Sequence, residues 1–481
     1  MLPEDWSRDR EPLLLSLPGD LAELFATYHH ELKGGQIFKR VVGRAIAAGA
    51  DSVLVERPYI DADYRSEFAG FYAEVYRELP DRAHRLHFLD NENRRYCGYA
   101  TIRPILGRPV SRTMLEPPPA LAGHVSCLAT SKASPYGAEF KARGFPFISQ
   151  DYQYGVCAHA AIWMVALYFH LAFGRPRVHL SDIVEAARHP AYGQRRTPSN
   201  GLTHPQMNAA LETLGMSAIN YVFGQLPEDE TAERIACRYL NSRLPVIVLG
   251  SGHARVLVGY GAEQEEGGLF FVCHDDARGP YRAIGDPGRG RDEGSPDGHW
   301  ERLVVPMPGR IYLAGESAER EGGVALGGEL AKHRELRHHL AALERGERRL
   351  RTYVTTIADY LHRLRDRGVS TDVQRWHALT GASHWVWVVE LQDTAAAARG
   401  PDCVLGEVII DTTSDDREPN FLSANLPGYK MRWAALGAPT QTQESGQREL
   451  YRTGCALHVP TPSPPKGPGA VAGLRRRLRR R

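Results

Sequence analysis

The stretch QDYQYGVCAHAAIWMVALYFH, from Gln150 to His170, places a single cysteine between a polar segment and an apolar run. The residues from Ala158 to Phe173 have the length and composition of a buried core helix, which would begin at Cys157. A helix N-terminus carries a local positive potential, and this potential favours the thiolate form of a cysteine. The stretch therefore predicts either a small buried residue or a nucleophile at the start of a helix.

Partners for a cysteine nucleophile are found farther along the chain. A cysteine hydrolase needs an imidazole to pair with the thiolate, a group that orients the imidazole, and donors for the oxyanion. LPVIVLGSGHARVLVGYG predicts a strand, a short turn and a second strand that starts at His253. GGLFFVCHDDARGPY predicts a strand, Leu269–His274, that ends in Asp275 and Asp276. Adjacent antiparallel strands would bring Asp275 beside His253, where a carboxylate fixes the tautomer of the ring.

This order of Cys, His and Asp resembles that of the papain-like cysteine peptidases, and GHARVLVGYG is close to the histidine motif of papain. The segments FPFISQDYQYGVCAHAAIWM, NGLTHPQMNAALETLGM, HARVLVGYG and HDD are more similar to the bacterial branch. That branch includes the double-glycine peptidases that trim bacteriocin leaders, and their free-standing relatives. The resemblance covers about residues 140–290 and implies that Gly201–Met216 forms a helix that the Gly-Leu-Thr segment opens.

The resemblance implies a role for each residue of the site. Cys157 would be the nucleophile, and His253 would be the general base and acid. Asp275 would be the orienting carboxylate, because in the relatives this residue ends the strand and precedes a turn. Asp276 is the alternative carboxylate. The resemblance implies no cofactor.

Two positions near the cysteine depart from the family pattern. A Gln about six residues before the cysteine usually supplies an oxyanion donor alongside the backbone N–H of the cysteine, but here Asp151 holds that position. We predict Gln150 as the donor, because PFISQ matches the bacterial context, with Gln153 as the alternative. The usual Gly-Pro or Gly-Ser after the cysteine is Ala-His here, and His159 is placed to crowd the site or to touch the substrate.

Bulk composition excludes several classes of protein. The 481 residues carry a formal net charge of +2, so no overall field favours nucleic acid or an acidic partner. The seven cysteines form no C-x-x-C pair, which argues against a zinc ribbon and for a reduced, cytoplasmic protein. The N-terminus does not resemble a signal peptide, and no apolar run is long enough to cross a membrane. The resemblance and the Arg- and Ala-rich composition suggest a bacterial source.

A metal site is not predicted. Four histidines, His159, His204, His253 and His274, are candidates for metal ligands, but they show neither H-E-x-x-H nor any paired spacing. The chain ends in GLRRRLRRR, a cluster that is suited to weak contact with an acidic partner. Because this tail has no aromatic residues for base stacking, we predict no specific binding of nucleic acid.

The chain organisation predicts an α+β protein with four segments. An N-terminal α/β region occupies residues 1–135, and the papain-like domain occupies residues 140–315. A C-terminal α/β domain, 320–457, starts with a charged helix at about 329–365 and continues with the strands HWVWVVEL and VLGEVIIDTT. Residues 458–481, rich in Pro and then in Arg, are predicted to be disordered.

These features predict a cysteine peptidase that hydrolyses a peptide or isopeptide bond of a peptide or protein substrate. Two alternatives belong to other classes. The same residues would also support amide exchange, as in acyltransferases and transglutaminase-like enzymes. Alternatively, the domain would be an inactive peptide-binding module, in which His159 and the shifted Gln mark the loss of activity. The sequence leaves the oligomeric state open.

Overall fold

The structure is a computed structural model of the whole chain. It describes residues 13–25, 28, 35–75, 79–92, 95–105, 108–188, 199, 201–227, 230–262, 269–285, 300–309, 311–378, 383–399, 402–414, 419–433, 441–444 and 451–452. The predicted tail, 458–481, lies outside these residues. No helix among the described residues is long and apolar enough to cross a membrane.

The chain divides into two compact units. The first unit comprises Met1–Asn220, Pro245–Tyr260 and Phe270–Pro308. The second unit comprises Tyr221–Leu244, Gly261–Leu269 and Gly309–Arg481. All the candidate site residues belong to the first unit. The division of the sequence into four segments stays a prediction.

A seven-stranded antiparallel sheet forms the N-terminal part of the first unit. Its strands are β1 (Leu13–Ser16), β2 (Ser52–Tyr59), β3 (Ala83–Asp90), β4 (Arg95–Ile102), β5 (Val110–Leu115), β6 (Ala129–Ala133) and β7 (Phe140–Phe147). Their order across the sheet is β1-β2-β3-β4-β5-β7-β6. The central strands β3 and β4 are buried along almost their whole length. The last strand in sequence, β7, leads into the segment that carries the cysteine.

Most of a six-stranded sheet forms the other part of the first unit. Its strands are β8 (Ser217–Val222), β9 (Val246–Gly250), β10 (His253–Ala262), β11 (Leu269–Asp275), β12 (Gly279–Gly285) and β13 (Arg302–Met307). Their order is β12-β11-β10-β9-β13-β8, so β10 and β11 are neighbours in the interior of the sheet. Residues 254–261 of β10 are all buried, which explains their mostly apolar sequence. The sequence-based prediction of adjacent strands at His253 and Asp275 is confirmed.

The helices of the first unit flank these sheets. They are α1 (Leu21–Phe25), α2 (Gly35–Ala47), α3 (Ala62–Gly70), α4 (Pro119–Ala122), α5 (Cys157–Phe173), α6 (Leu180–Ala186) and α7 (His204–Thr213). Helix α5 is the helix predicted from the apolar run, and it begins at Cys157. All its residues from 158 to 169 are buried, and it packs against β6, β7 and α6. Gly174 ends it in the left-handed conformation, with φ 66°.

A buried carboxylate ties α3 to α5 and α6. Asp63 on α3 accepts a hydrogen bond from the indole N–H of Trp163 on α5, over 3.0 Å. It also pairs with Arg177 and, at 3.2 Å, with the ring of His179 just before α6. Burial opposes the charged form of Asp63, but these hydrogen bonds and charges hold its pKa below the ordinary value. Helix α5 is therefore fixed by polar contacts as well as by apolar packing.

The second unit is built on another antiparallel sheet. Its strands are β14 (Arg348–Thr356), β15 (Trp385–Asp393), β16 (Asp402–Asp411), β17 (Phe421–Leu426), β18 (Tyr429–Arg432), β19 (Gln441–Glu444) and β20 (Tyr451–Arg452). The order is β14-β15-β16-β17-β18-β19, and β20 pairs with β16. Its helices are α8 (Ala232–Asn241), α9 (Gly315–Lys332), α10 (Arg337–Glu344), α11 (Ile357–Asp366), α12 (Thr371–Ala378) and α13 (Thr394–Arg399). The predicted strands HWVWVVEL and VLGEVIIDTT correspond to β15 and β16.

The prediction of one charged helix at about 329–365 is wrong. The end of α9, a 3₁₀ turn (Arg334–Leu336), α10, β14 and α11 occupy this segment instead. Gly346, with φ 78°, follows α10 and allows the chain to turn into β14. All nine residues of β14 pair with β15, so long-range pairing outweighs the helix-like charge pattern here.

Candidate active site

The fold places Cys157 where a thiol can react. It is the first residue of α5, and the preceding N-cap residue, Val156, provides no side-chain capping bond. The first N–H groups of a helix have no intrahelical partner, so they are available to a negatively charged group. Cys157 is partly exposed, whereas the other described cysteines are all buried. It is therefore the accessible thiol among the described residues.

A tight hairpin fixes the position of His253. The two residues that join β9 to β10, Ser251 and Gly252, have φ values of 52° and 71°. Positive φ at both positions is what a two-residue type I′ turn requires, and such a turn matches the twist of the strands. His253 pairs directly with Gly250 as the first residue of β10. The imidazole consequently projects from the end of a rigid, central strand.

The chain between α4 and β6 anchors β10 farther along. The N–H groups of Ser126 and Cys127 both bond to the carbonyl of Val258, each over 3.0 Å. Gly259 allows this close approach, because a Cβ atom there would lie 1.9 Å from the carbonyl oxygen of His124. A side chain at this position would force the two segments apart. The glycine in the histidine motif thus has a packing function that is separate from the site.

Asp275 is the last residue of β11, and its Oδ1 lies 3.1 Å from Nε2 of His253. The same oxygen accepts hydrogen bonds from the backbone N–H groups of Ala277, over 2.9 Å, and Arg278, over 3.0 Å. The carboxylate therefore organises the turn after β11 and is held towards the imidazole. Cys157 lies near enough to the same ring to help stabilise its charged form. With Nε2 directed to the carboxylate, Nδ1 is the nitrogen that remains for the thiol.

Two arginines that the sequence analysis missed complete this cluster. Oδ2 of Asp275 lies 3.2 Å from Nε of Arg255 and 3.4 Å from a guanidinium nitrogen of Arg282. Arg255 follows His253 by two residues on β10, so the two side chains share one face of the sheet. That spacing could have indicated Arg255. Arg282 lies on β12 and is brought close only by the pairing of β11 with β12.

The charges of the cluster reinforce one another. Burial alone would lower the pKa of His253, but the hydrogen bond with Asp275, the interaction with Cys157 and the charge of Asp276 outweigh burial and raise it to about 10. For Asp275, burial alone would raise the pKa, but His253 and Arg255 hold it below the ordinary value. The imidazolium and the carboxylate are therefore the stable forms at neutral pH. A positively charged ring beside Cys157 favours a thiolate there.

Asp276 adds a second carboxyl group on the same side of the ring. Its Oδ1 lies 3.5 Å from Nε2 of His253, and neither of its oxygens forms a hydrogen bond with any described side chain. Burial is the main cause that raises the pKa of Asp276 to about 7, with a further contribution from the negative charge of Asp275. Asp275 is thus the better orienting group, because it stays charged where Asp276 begins to take up a proton.

The raised pKa of Asp276 gives a pH-dependent effect on stability. In the folded chain this carboxyl binds a proton between about pH 4 and pH 7, where the unfolded chain has lost it. Its contribution to the free energy of unfolding therefore falls as the pH rises through this range. Asp276→Asn keeps the shape of the neutral carboxyl but does not titrate. As the pH rises from 4 to 8, we expect the free energy of unfolding of this variant to increase relative to that of the wild type by up to about 4 kcal/mol.

Urea titrations of both proteins across this pH range measure the effect. All other titrating groups are shared, so their contributions largely cancel in the difference. A difference in free energy of unfolding that stays constant with pH would contradict a protonated Asp276.

The segment before Cys157 is held by Asp151 rather than by a glutamine. One oxygen of Asp151 accepts the backbone N–H groups of Gln153, Tyr154 and Gly155 over 2.8–2.9 Å. Its other oxygen accepts the hydroxyl of Tyr72 over 2.6 Å. At the position where the resemblance implies a glutamine, this chain therefore has a buried carboxylate that shapes the turn.

The two candidate oxyanion donors differ in burial. Gln150 is 6% exposed and directly precedes the turn that Asp151 organises. The side chain of Gln153 is exposed, and its backbone carbonyl accepts the N–H of Ser199 over 2.6 Å. A donor that is shielded from water is the better one in a site, so the burial favours Gln150.

His159 lies inside the protein, although the sequence analysis placed it near the substrate. It is 2% exposed, and its Nδ1 forms no hydrogen bond with any residue that the structure describes. Burial lowers the pKa of His159 to about 4, so the ring is neutral. This placement does not favour direct contact with a substrate.

The candidate metal ligands of the sequence do not converge on one point. His204 bonds to Asn220 over 2.8 Å, and the buried His274 bonds to the carbonyl of Pro146 over 3.1 Å. One ligand atom from each of His253, Asp275 and Asp276 does lie within 4.8 Å of the other two. Because two guanidinium groups contact Asp275, a cation would be repelled there. We therefore interpret the two carboxyl groups as partners of the His253 imidazole and not as metal ligands.

Comparisons with known proteins add little to this geometry. No family model matches the sequence, and no curated protein matches it. Among solved structures, UfSP from C. elegans, a cysteine protease, is similar over 34% of this chain with 16% identity and a TM-score of 0.22. The chain spans about a third (33%) of the length of UfSP. A TM-score this low carries no conclusion about fold or activity.

Proposed function

We propose that this protein is a cysteine peptidase that hydrolyses a peptide or isopeptide bond, with Cys157, His253 and Asp275 as its triad. One observation carries the proposal. A single imidazole is hydrogen-bonded to a buried, charged carboxylate, and it interacts with a partly exposed thiol at a helix start. A nucleophile, a base and a group that orients the base form the arrangement expected for nucleophilic catalysis.

The reaction then follows from the charges of the site. The thiolate of Cys157 attacks the carbonyl carbon, and the electron pair of the C=O bond moves to the oxygen. The imidazolium of His253 gives its proton to the leaving amine as the C–N bond breaks. Water, deprotonated by the neutral ring, attacks the thioester and releases the acid, and the proton restores the imidazolium. Asp275 stays ionised throughout and keeps the ring oriented.

The oxyanion needs donors that are already in place. The backbone N–H of Cys157 is suited to this function, because it belongs to the first turn of α5 and has no intrahelical partner. We propose the side-chain amide of Gln150 as the second donor, supported by its burial beside the turn that Asp151 fixes. Loss of one such donor typically costs about 10²–10³-fold in kcat.

The finer assignment also belongs to this proposal. A papain-like domain is supported by a helix that starts at the cysteine and by neighbouring antiparallel strands that carry the histidine and the aspartate. Membership of the double-glycine branch rests on the sequence segments alone and stays a prediction.

A degenerate peptide library tests the activity directly. We expect the full chain to cleave a subset of the peptides, as detected by mass spectrometry, and the matched Cys157→Ala variant to cleave none. Adding a primary amine reveals amide exchange if amide products then exceed the hydrolysed ones. Specific retention of peptides without any cleavage, by both proteins, would support the binding module and contradict the peptidase.

A further inference from the structure

A cavity of about 670 Å³ lies beside the turn that follows β11. Five residues line it: Arg40, Gly43, Arg44, Arg278 and Arg282. Three of them belong to α2, Arg278 belongs to the β11–β12 turn, and Arg282 belongs to β12. The fold thus directs four arginines from two separate parts of the first unit towards one space, and none of the described residues that line it is acidic.

Like charges gathered in this way oppose one another. Arg44 is half-buried and has no ion-pair partner among the residues that the structure describes. Burial and the nearby charge of Arg282 both lower the pKa of Arg44. A guanidinium keeps its charge in proteins, so the repulsion is not relieved by loss of a proton. An anion in the cavity would relieve it.

The cavity has a defined wall. A guanidinium nitrogen of Arg40 donates to the carbonyl of Arg278 over 3.0 Å, which links α2 to the turn. Gly279, with φ 104°, lies so close to Arg40 that a Cβ there would be 3.3 Å from the Cβ of Arg40. In contrast, a Cβ at Gly43 would have no atom within 4 Å. The contacts of Arg40 with the β11–β12 turn therefore close the cavity on one side, and the space at Gly43 leaves it open on the side of α2.

We infer that this cavity binds a small, soluble molecule that carries two or more phosphate groups. Its volume falls in the range of small-molecule sites, about 300–1,000 Å³. The planar fork of a guanidinium matches phosphate oxygens in pairs. A phosphate monoester carries about −1.5 to −2 charges at pH 7, so two phosphates bring more negative charge to the cavity than one carboxylate does.

Occupation of the cavity would also affect the proposed triad, and this part of the inference rests on the proposed function. Arg282 lines the cavity and contacts Oδ2 of Asp275 over 3.4 Å. A phosphate that attracts Arg282 withdraws positive charge from Asp275, and Arg255 remains as its other partner at 3.2 Å. The carboxylate then stabilises the imidazolium of His253 more strongly. The ligand would therefore favour the thiolate of Cys157.

Calorimetric titration of the full chain with inorganic pyrophosphate tests the binding. Gly43→Glu introduces a carboxylate where the structure has room, and Arg44→Gln removes one charge. We expect each change to weaken pyrophosphate binding at least tenfold. The matched control, Lys39→Gln, removes an exposed charge of α2 outside the cavity and should change binding less than threefold. Thermal melting verifies that all variants are folded.

Two results would overturn the site. One is the absence of pyrophosphate binding below about 1 mM, and the other is equal affinity in all four proteins. Binding of the tricarboxylate citrate as tightly as pyrophosphate would overturn the choice of phosphate. These binding measurements do not depend on catalysis. The binding site can therefore be contradicted while the proposed peptidase activity is supported, and the peptidase activity can be contradicted while the binding site is supported.

The effect on the thiol needs a separate measurement, the rate of Cys157 alkylation by iodoacetamide against pH. Saturating pyrophosphate should move the acid limb of this profile to lower pH by about half a unit, because the imidazolium is stabilised. Arg44→Gln should remove the shift at the same pyrophosphate concentration. If pyrophosphate binds but the pH profile of alkylation is unchanged, the proposed effect of the ligand on Cys157 is contradicted, whereas the binding site is still supported.

Discussion

Replacement of Cys157 by serine is expected to reduce alkylation by iodoacetamide and amide hydrolysis by about 10³-fold or more. The thiolate is the reactive form of a cysteine, and the serine hydroxyl is a far weaker nucleophile at the same position. The two side chains differ little in volume, and Cys157 is partly exposed. The free energy of unfolding should therefore change by no more than about 1 kcal/mol.

Mass spectrometry of peptides after brief alkylation assigns the label to individual cysteines. Cys97 provides a matched control, because it is buried and burial raises its pKa to about 11. We expect Cys97 to resist alkylation until denaturant is added, and Cys97→Ser to leave the alkylation of Cys157 unchanged. Slow alkylation of Cys157 in the folded wild type would contradict a nucleophile and would favour the binding module.

The parts of the site that could be predicted are those with strong local signals. An apolar run with no charged residue indicates a buried helix, and α5 begins at Cys157 as expected. Ser-Gly between two apolar segments indicates a hairpin, which places His253 at a strand start. Each of these signals lies within a few residues of the feature that it predicts.

The parts that could not be predicted depend on contacts between distant segments. Arg282 reaches Asp275 only because β11 and β12 pair, and Asp151 shapes its turn with the help of Tyr72, 79 residues earlier. The arginines of α2 meet those of the β11–β12 turn across more than 230 residues of sequence. Charge spacing likewise indicated a helix where β14 forms, because strand pairing is decided outside the segment.

The charged state of His253 gives the last prediction, which concerns His253→Ala. In the wild type, the imidazolium favours the thiolate of Cys157, so we expect alkylation to be fast already at pH 6. Without the ring, we expect alkylation at pH 6 to fall by about 10²-fold and to rise steeply as the pH is raised. Amide hydrolysis should fall by about 10²–10⁴-fold, because the proton donor is lost.

The free energy of unfolding distinguishes this effect from damage to the fold. The pKa of His253 is raised from 6.5 to about 10, so its charged form contributes stability fully below pH 6.5, and this is lost as the pH rises through 10. His253→Ala should therefore be most destabilised, relative to the wild type, below about pH 6.5. The difference should shrink towards pH 10. The matched control His204→Ala removes a partly exposed ring that bonds to Asn220, and it should leave the alkylation profile unchanged. A pH profile that is the same in His253→Ala and the wild type would show that the ring does not control the thiol.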